Sequence, residues 1–432
     1  MNWKRFDTSW MLSLFGTAVG AGILYLPIKA GVGGFWPIVV MSVIIFPMVY
    51  LSHRALSRFV AQARGRDKDI THATEDYFGK KIGILISIVY FFAIFPICLA
   101  YCVGITNTFE SFILNQILPF MDSWEGLKGV AYEVQKIDNK DIYSLVPTFR
   151  ALLAFVLVSI FMGVMYFSEE VIIKVCEWLV YPLCAVLFLF SLYLIPYWKL
   201  DSITYVPDMK DFLMIVWLTL PVLVFAFNHS PAISTFSVSV KKHYEGKFLR
   251  KTNQILFNTT LMLLFFVMFF VISCTLALDL NEFAQARAQN IPILSYFANK
   301  INNPIIAYGG PLVAFLAITS SFFGHYFGAR EGAYGIVRKS ATLMGKTPNM
   351  PLVKKLCNIV MYVIMIVVAY LNPSVLDFIE KLGGPIIAAI LFLMPVISFY
   401  IVSRLKKYRN LALDAFVFIT GVLTIVTVIY SF

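Results

Sequence analysis

The chain has 432 residues, of which 59% are hydrophobic and only 14% are charged, and its mean hydropathy is +0.80. Since about a quarter of the residues of an ordinary soluble chain are charged, this composition excludes a soluble globular domain. The net charge of +11 suggests a nucleic-acid partner at first, but the basic residues fall in loops between apolar runs, so they indicate membrane topology and no nucleic acid.

Apolar runs long enough to cross a bilayer recur from one end of the chain to the other. They predict an all-α polytopic membrane protein that forms a single membrane domain over residues 1–432. The runs predict about eleven spans, at 9–30, 35–58, 82–112, 149–167, 171–197, 212–239, 253–278, 304–329, 351–371, 374–403 and 411–431.

The basic loops alternate with neutral or acidic ones along the chain. Lys and Arg concentrate in residues 54–81, 241–251, 330–355 and 404–409, whereas 113–148, 198–211 and 279–303 are neutral or acidic. Basic loops stay in the cytoplasm, so we expect a cytoplasmic N-terminus and, with an odd number of spans, a C-terminus on the other side. The loop at 113–148 is expected to carry a short surface helix, and residues 281–300 a short helix at the mouth of the bundle.

The first span contains three glycines within two helical turns, at Gly16, Gly20 and Gly22. Each weakens a helix by about 1 kcal/mol relative to alanine. Unpaired backbone at membrane depth is tolerated where it is buried in protein or lines a cavity. The pattern therefore predicts a broken helix whose main-chain groups bind substrate, as in secondary transporters. The alternative is close helix packing through small residues.

The sixth span has a comparable interruption, with the polar run Asn228-His229-Ser230 followed by Pro231. Proline lacks a backbone N–H, so it leaves a carbonyl unpaired one turn earlier. Two broken helices five spans apart predict a repeat of five spans. Because five is an odd number, the second repeat enters the membrane from the side opposite to the first, so the repeats are inverted. The inverted repeats would cover residues 9–197 and 212–403, with 411–431 as an extra helix.

Four segments resemble one known family. The run from Thr8 to Pro27 is similar to the first helix of the hydroxy and aromatic amino acid permease family, nearest to its serine and threonine permeases of bacterial inner membranes. The segments 227–234, 320–332 and 382–395 are similar to its sixth, eighth and tenth helices. The resemblance implies the amino acid–polyamine–organocation superfamily and its five-plus-five inverted-repeat fold of the leucine-transporter type.

A zwitterionic amino acid needs donors for its carboxylate, acceptors for its ammonium and a pocket for its side chain. Free amides at the start of a half-helix suit the carboxylate, because the helix dipole favours an anion there. Carbonyls at the two breaks can accept from the ammonium, and polar side chains can select a hydroxyl. The predicted substrate-binding residues are Thr17, Ala18, Gly20, Ala21, Gly22, Phe225, Asn228, His229 and Ser230. His229 has two interpretations: direct contact with substrate or proton, or a hydrogen bond to a neighbouring carbonyl.

The resemblance leaves the coupling ion open between a proton and sodium. Sodium-coupled members of the superfamily carry an Asn just after the second glycine of the break, where this chain has Ile23. A second sodium position uses first-helix carbonyls and a hydroxyl pair on span 8. Its counterparts here are Gly16, Val19, Ala317, Ser320 and Ser321.

A lysine on span 5 replaces that sodium in some proton-coupled relatives. Lys174, with Glu177 three residues on, is the candidate here, and the alternative is that Lys174 extends to the membrane surface as a topological anchor. His325, Glu331 and Glu110 are further candidate proton carriers. The resemblance to serine permeases favours proton coupling, whereas the hydroxyl pair supports sodium.

Other functions are less compatible with the sequence. A channel needs a continuous polar pore, and the polar residues here form isolated clusters at membrane depth. A membrane enzyme needs paired intramembrane aspartates or a His-Glu-x-x-His run, which the sequence lacks. An amino-acid sensor would need a soluble output domain to carry its signal, and no separate soluble domain is visible in the sequence. We therefore predict a bacterial inner-membrane symporter, without cofactor or metal, whose partners are the bilayer and a small amino acid: serine, with threonine second and aromatic amino acids as the alternative.

Overall fold

The computed structural model describes residues 2–64, 69–120, 124–137, 140–167, 169–301 and 303–430. In these ranges most regular elements are α-helices, accompanied by short 3₁₀ and π segments and a β-hairpin. The helices in chain order are α1 (Arg5–Ala18), α2 (Ala21–Ala30), α3 (Phe35–Ala61), α4 (Ile70–Phe112), α5 (Pro147–Val164), α6 (Glu169–Tyr193), α7 (Asp201–Thr204), α8 (Met209–Ala226), α9 (Ser230–Tyr244), α10 (Phe248–Ala277), α11 (Leu280–Ala288), α12 (Ile293–Lys300), α13 (Pro304–Leu343), α14 (Met350–Leu371), α15 (Val375–Phe378), α16 (Gly384–Ala388), α17 (Met394–Ile401) and α18 (Leu411–Val426).

The number of membrane-spanning helices agrees with the sequence. Within the described ranges, ten helices are long and apolar enough to cross a membrane, and the bent pair α1–α2 makes an eleventh span. The tenth span is α15, α16 and α17, joined by the π-helical segments Ile379–Gly383 and Ala389–Leu393. The predicted all-α polytopic fold is confirmed.

The first span is broken where its glycines predicted. Val19 and Gly20 have extended backbone (ψ 95° and −150°), so α1 ends at Ala18 and α2 leaves at an angle of 55°. Gly22 then approaches the sixth span so closely that a Cβ atom there would lie 2.7 Å from the Cα of Ala226. The two interrupted spans therefore meet at their breaks.

The sixth span is interrupted between α8 and α9. Helix α8 ends at Ala226, and α9 begins at Ser230 with Pro231 in its first turn. Proline is tolerated there because the first N–H groups of a helix have no partner inside it. The same residue would destabilise a continuous helix, which explains why the chain leaves the helical path just before it.

The bundle has two chemically different ends. The basic end carries the C-termini of α3, α9 and α13, with the Lys and Arg clusters named above. The hairpin end carries α11, α12 and the antiparallel strands β1 (Tyr132–Ile137) and β2 (Lys140–Leu145).

Two expectations for the hairpin end require correction. The loop at 113–148 carries a β-hairpin in addition to short helical turns, because Tyr132 and Val134 alternate with polar residues and pack on a small apolar cluster with Leu114. Residues 281–300 form two helices, α11 and α12, because Asn290 between them adopts a left-handed conformation (φ 53°).

Candidate functional site

The break of the first span is enclosed by neighbouring helices. A Cβ atom on Gly20 would lie 2.5 Å from the Cβ of Ser321 on α13 and 2.9 Å from the hydroxyl of Tyr101 on α4. Ala21 and Gly22 are the first residues of α2, so no carbonyl inside the helix can accept from their N–H groups. These buried donors lie at the positive end of the helix dipole and suit an anion such as a carboxylate.

A chain of hydroxyl groups connects the break to α4 and α13. The Ser321 hydroxyl donates to the carbonyl of Thr17 (2.6 Å) and so accepts from the Tyr101 hydroxyl (2.7 Å). The neighbouring Ser320 hydroxyl is farther from the break, 3.5 Å from the Gly16 carbonyl, and also lies 3.1 Å from the carbonyl of Ala317 in its own helix. Ser321 is therefore the hydroxyl that holds the end of α1.

Asn228 connects the break of the sixth span to the eighth span. Its side-chain carbonyl accepts from the N–H of Ser230 (3.1 Å), and its amide nitrogen lies 3.4 Å from Nε2 of His325. His325 in turn places Nδ1 2.9 Å from the carbonyl of Ser321. The polar groups of both broken spans thus belong to one buried network.

Two histidines stack against each other behind this network. The rings of His53 on α3 and His229 lie 3.6 Å apart and almost parallel. The backbone N–H of His229 donates to Nε2 of His53 (3.2 Å), and Nδ1 of His229 lies 3.1 Å from the carbonyl of Phe227. Both imidazoles are buried.

A cavity of about 660 Å³ extends from the breaks toward the basic end. Ser13 and Thr17 of the first span, Pro231 of the sixth and Ser320 of the eighth line its inner part. Its other lining residues include the charged or polar groups Asp69, Arg330, Glu331, Arg338, Lys354 and Asn358. Water and small polar solutes can therefore approach the breaks from the basic end.

Most of the predicted substrate-binding residues lie at the two breaks. Ala18 and Val19 are buried at the end of α1, and the Phe225 ring packs against Gly22 and edge-on to Tyr101. The Phe225 carbonyl accepts from the N–H of Asn228 (3.2 Å).

Lys174 does not face the two breaks. Its residue is exposed near the start of α6, and the residue of α6 that approaches the site is Cys176, whose Sγ lies 3.9 Å from the carbonyl of Ser320. Residues two apart on a helix point to nearly opposite sides, so Lys174 and Cys176 cannot both face the breaks. Glu110 is also remote from the breaks, because it pairs with Arg150 at the hairpin end.

His53 is the residue at this site that sequence reasoning missed. It lies in the second span, which otherwise reads as a plain apolar helix. A histidine at membrane depth is itself a functional signal and would have identified it. Tyr101 also belongs to the site, through the hydrogen bond between its hydroxyl and that of Ser321. Among the described residues, no group of three or more His, Cys, Asp or Glu side chains is arranged to hold a metal ion.

Two spans broken side by side, with free backbone groups and a polar network at the breaks, are the arrangement typical of secondary transporters. The fold is similar to that in the crystal structure of MhsT in complex with L-phenylalanine, with a TM-score of 0.58, 15% identity and 99% of each chain covered. This similarity identifies the five-plus-five inverted-repeat fold of the leucine-transporter type.

Sequence comparisons identify the family within that class. The tryptophan/tyrosine permease family model matches residues 8–126. The serine transporter SdaC of Escherichia coli is 42% identical, covering 99% of this chain and 95% of that protein. The threonine/serine transporter TdcC of Yersinia enterocolitica is 38% identical, with 99% and 96% covered. The chain therefore belongs to the hydroxy and aromatic amino acid permease family, in its serine and threonine branch, and is a multi-pass membrane protein.

Proposed function

We propose that this protein imports L-serine, with L-threonine as a second substrate, across the bacterial inner membrane by proton symport. The names of the relatives support an amino acid substrate with a hydroxyl group. The observation that carries the proposal is the meeting of the two breaks, where buried N–H groups of Ala21 and Gly22 adjoin the carbonyl-rich end of α8. That arrangement presents donors for a carboxylate and acceptors for an ammonium within one small volume.

Selection of a hydroxylated substrate requires a polar partner that an alanine side chain leaves unsatisfied. Asn228, His229 and Ser230 lie at the sixth-span break, and Thr17 lines the cavity on the opposite side. All four are buried, so an unmatched hydrogen bond there is costly. We assign the hydroxyl of serine to Asn228, Ser230 and Thr17 of this set, and not to His229.

The hydrogen bonds around the hydroxyl pair favour a proton over sodium as the coupling ion. A sodium ion held by Ser321 and a carbonyl of α1 would have to lie between the two oxygens. Here the Ser321 hydroxyl donates directly to the Thr17 carbonyl at 2.6 Å, so a cation must first separate them. Three histidines lie nearby, by contrast, and an imidazole is a group that can bind and release a proton.

Alternating access follows from the same arrangement. The cavity leads to the basic end, which the positive-inside rule assigns to the cytoplasm, so the structure represents the state that releases substrate inward. Movement of α1 and α9 against α4 and α13 would close this cavity and open the hairpin end. With eleven spans, the C-terminus would lie in the periplasm.

Uptake of labelled serine into proteoliposomes tests the proposal. We expect uptake under an inward proton gradient and little under an inward sodium gradient, with competition by threonine and much less by alanine or tryptophan. Gly20→Ala should abolish uptake because its Cβ would overlap Ser321. Gly309→Ala is the matched control, since no atom lies within 4 Å of a Cβ at that position.

Two outcomes would support the alternatives. Uptake driven by sodium alone would move the coupling site to Gly16, Val19, Ser320 and Ser321. Of these, the Ser320 hydroxyl lies 3.5 Å from the Gly16 carbonyl. Transport of tryptophan or tyrosine in place of serine would retain the fold and refute the substrate assignment.

A further inference from the structure

The three histidines at the breaks have defined proton positions. Nδ1 of His53 lies 2.9 Å from the Val49 carbonyl, and Nδ1 of His325 lies equally close to that of Ser321. Nδ1 of His229 approaches the Phe227 carbonyl in the same way. Because a carbonyl oxygen can only accept, each Nδ1 carries the hydrogen, and each Nε2 presents a lone pair.

Only His229 has an Nε2 lone pair without a hydrogen-bond partner within this trio. Nε2 of His53 accepts from the backbone N–H of His229, and Nε2 of His325 lies within reach of the Asn228 amide. Nε2 of His229 is buried and has no donor. A new proton can bind there without breaking any existing hydrogen bond. A proton on Nε2 of His53, by contrast, would displace the backbone N–H of His229, from which that nitrogen accepts.

The surroundings of His229 oppose a positive charge on its ring. His229 is the N-cap residue of α9, where the helix dipole is unfavourable to a cation. Its ring is buried and lies face to face with that of His53, and His325 is joined to the same break through Asn228. Tyr101 faces His325 from α4. Farther along the packed helices, Asp69 and Glu331 line the cavity with Pro231.

A bound substrate carboxylate would favour the protonated form of the His229 ring. The start of α2, where the carboxylate is proposed to bind, contacts Phe225 and Ala226, which lie three to four residues before His229. A negative charge there stabilises an imidazolium on His229, and by linkage a proton on His229 tightens binding of the carboxylate by the same factor. Neither ligand alone gains this stabilisation.

We propose that Nε2 of His229 is the proton-coupling site, and that His53 is a positioning residue that fixes the His229 ring. The inference rests on the proposed proton symport and names the residue that performs it. His53 acts by accepting the His229 N–H and by stacking on its ring. The cavity beside Pro231 gives the proton a route to the basic end.

The experiment separates proton movement from serine movement in proteoliposomes that contain the full-length protein. Serine-induced proton entry is followed with an internal pH dye, and exchange of labelled for unlabelled serine is measured at equal pH on both sides. We expect His229→Gln to lose serine-induced proton entry and to retain exchange. Wild-type apparent affinity for serine should rise about tenfold as pH falls from about 8 to about 6, and this dependence should vanish in the variant.

Two further variants control for structural damage. His53→Gln keeps an acceptor for the His229 N–H but removes the stacked ring, so we expect a shifted pH profile with exchange retained. His243→Gln alters an exposed histidine at the end of α9 and should match the wild type in every assay.

The results distinguish failure of this inference from failure of the proposed function. Wild-type protein that moves no protons with serine would refute the symport itself. Wild-type coupling that persists in His229→Gln would overturn the assignment of His229 alone. If His229→Gln does not exchange serine, His229→Asn, whose amide can donate to the Phe227 carbonyl, is tested for serine binding. Loss of binding in both variants would make His229 a substrate ligand and also overturn the assignment.

Discussion

The hairpin end and the basic end of the bundle differ in how they enclose the same broken helices. At the hairpin end, an asparagine cluster of Asn107, Asn290 and Asn372 lies above α2. Asn107 and Asn290 both donate to the side-chain oxygen of Asn372 (2.8 Å each), and the Asn290 carbonyl accepts from the Tyr25 hydroxyl of α2 (3.1 Å). Helices from both repeats are thereby joined over the substrate site.

Arg150 makes further contacts with the asparagine cluster at the hairpin end. Its guanidinium pairs with Glu110, donates to Asn107 (2.7 Å) and donates to the carbonyls of Ala369 and Tyr370 near the end of α14. An ion pair between Lys29 of α2 and Glu380 of the tenth span (3.1 Å) adds a second connection.

The basic end is held together at its edge but contains a cavity in its centre. Asp7 of α1 and Lys251 of α10 form a fully buried ion pair (2.6 Å), and the Tyr244 hydroxyl donates to Asp7 (2.7 Å). The cavity of about 660 Å³ nevertheless reaches Thr17. The two ends therefore differ in how they use polar side chains. At the hairpin end these side chains hydrogen-bond directly to one another and close the bundle, whereas at the basic end charged side chains line the cavity.

Removal of Arg150 is expected to have the largest effect on this asymmetry. Arg150→Met removes the donor to Asn107 and the ion-pair partner of Glu110, which keeps only the Leu145 N–H. Loss of one partner of a largely buried ion pair costs about 3 kcal/mol in the free energy of unfolding. Denaturation in detergent measures the loss. Arg250→Met, at an exposed position, should leave stability unchanged. Equal stability of both variants would show that the hairpin end is not held by this guanidinium.

The contact between the two breaks should be the next most sensitive feature. In Gly22→Ala the new methyl group would lie 2.6 Å from the Phe225 ring and 2.7 Å from the Ala226 backbone, so α2 must move away from α8. We expect serine affinity to fall about 30-fold, or about 2 kcal/mol, in equilibrium binding. Wild-type affinity would contradict a substrate site at this junction.

Weakening the asparagine cluster should shift the molecule toward opening at the hairpin end. Asn290→Gly tolerates the left-handed backbone and removes only the side-chain bonds to Asn372, Pro373 and Val375. Cys176 lines the cavity, so a membrane-impermeant maleimide added at the basic end should modify it about fivefold more slowly, which corresponds to about 1 kcal/mol.

Two controls accompany that measurement. Asn115→Ala removes side-chain bonds within its own helical segment at the hairpin end and should leave the rate of modification unchanged. Cys176→Ser should remove the part of the signal that comes from Cys176 and so separate it from modification of the partly exposed Cys357. An unaltered rate in Asn290→Gly would mean that the cluster does not set the balance between the two ends.

The smallest expected effect distinguishes the two adjacent serines of α13. Ser321→Ala removes the donor to Thr17 and the acceptor for Tyr101, so proton-driven serine uptake should fall about threefold, or about 0.7 kcal/mol. Ser320→Ala loses only longer bonds and should fall less than about twofold. Equal and large losses, with a requirement for sodium, would favour a cation site.

Much of the fold was predictable because its determinants are local. Apolar runs set the spans, and glycine or Pro231 weakens a helix within one or two turns of its own position. The hairpin at Tyr132 was missed because the surface loop was judged from its charge, although its period of two was visible. The sequence left Lys174 open between the site and the membrane surface, because packing decides the rotation of α6, which turns Cys176 toward the breaks.

The sequence by itself therefore determined the class of protein, the two breaks and the polar residues that the breaks carry, because periodicity and helix-breaking residues act over a few positions. Only the tertiary structure decided which groups meet: Ser321 with Thr17 across 304 residues, His53 with His229 across 176, and Asn107 with Asn372 across 265. Such pairs depend on how whole helices pack and rotate, and a pattern along one helix contains no information about the face of another that it will contact.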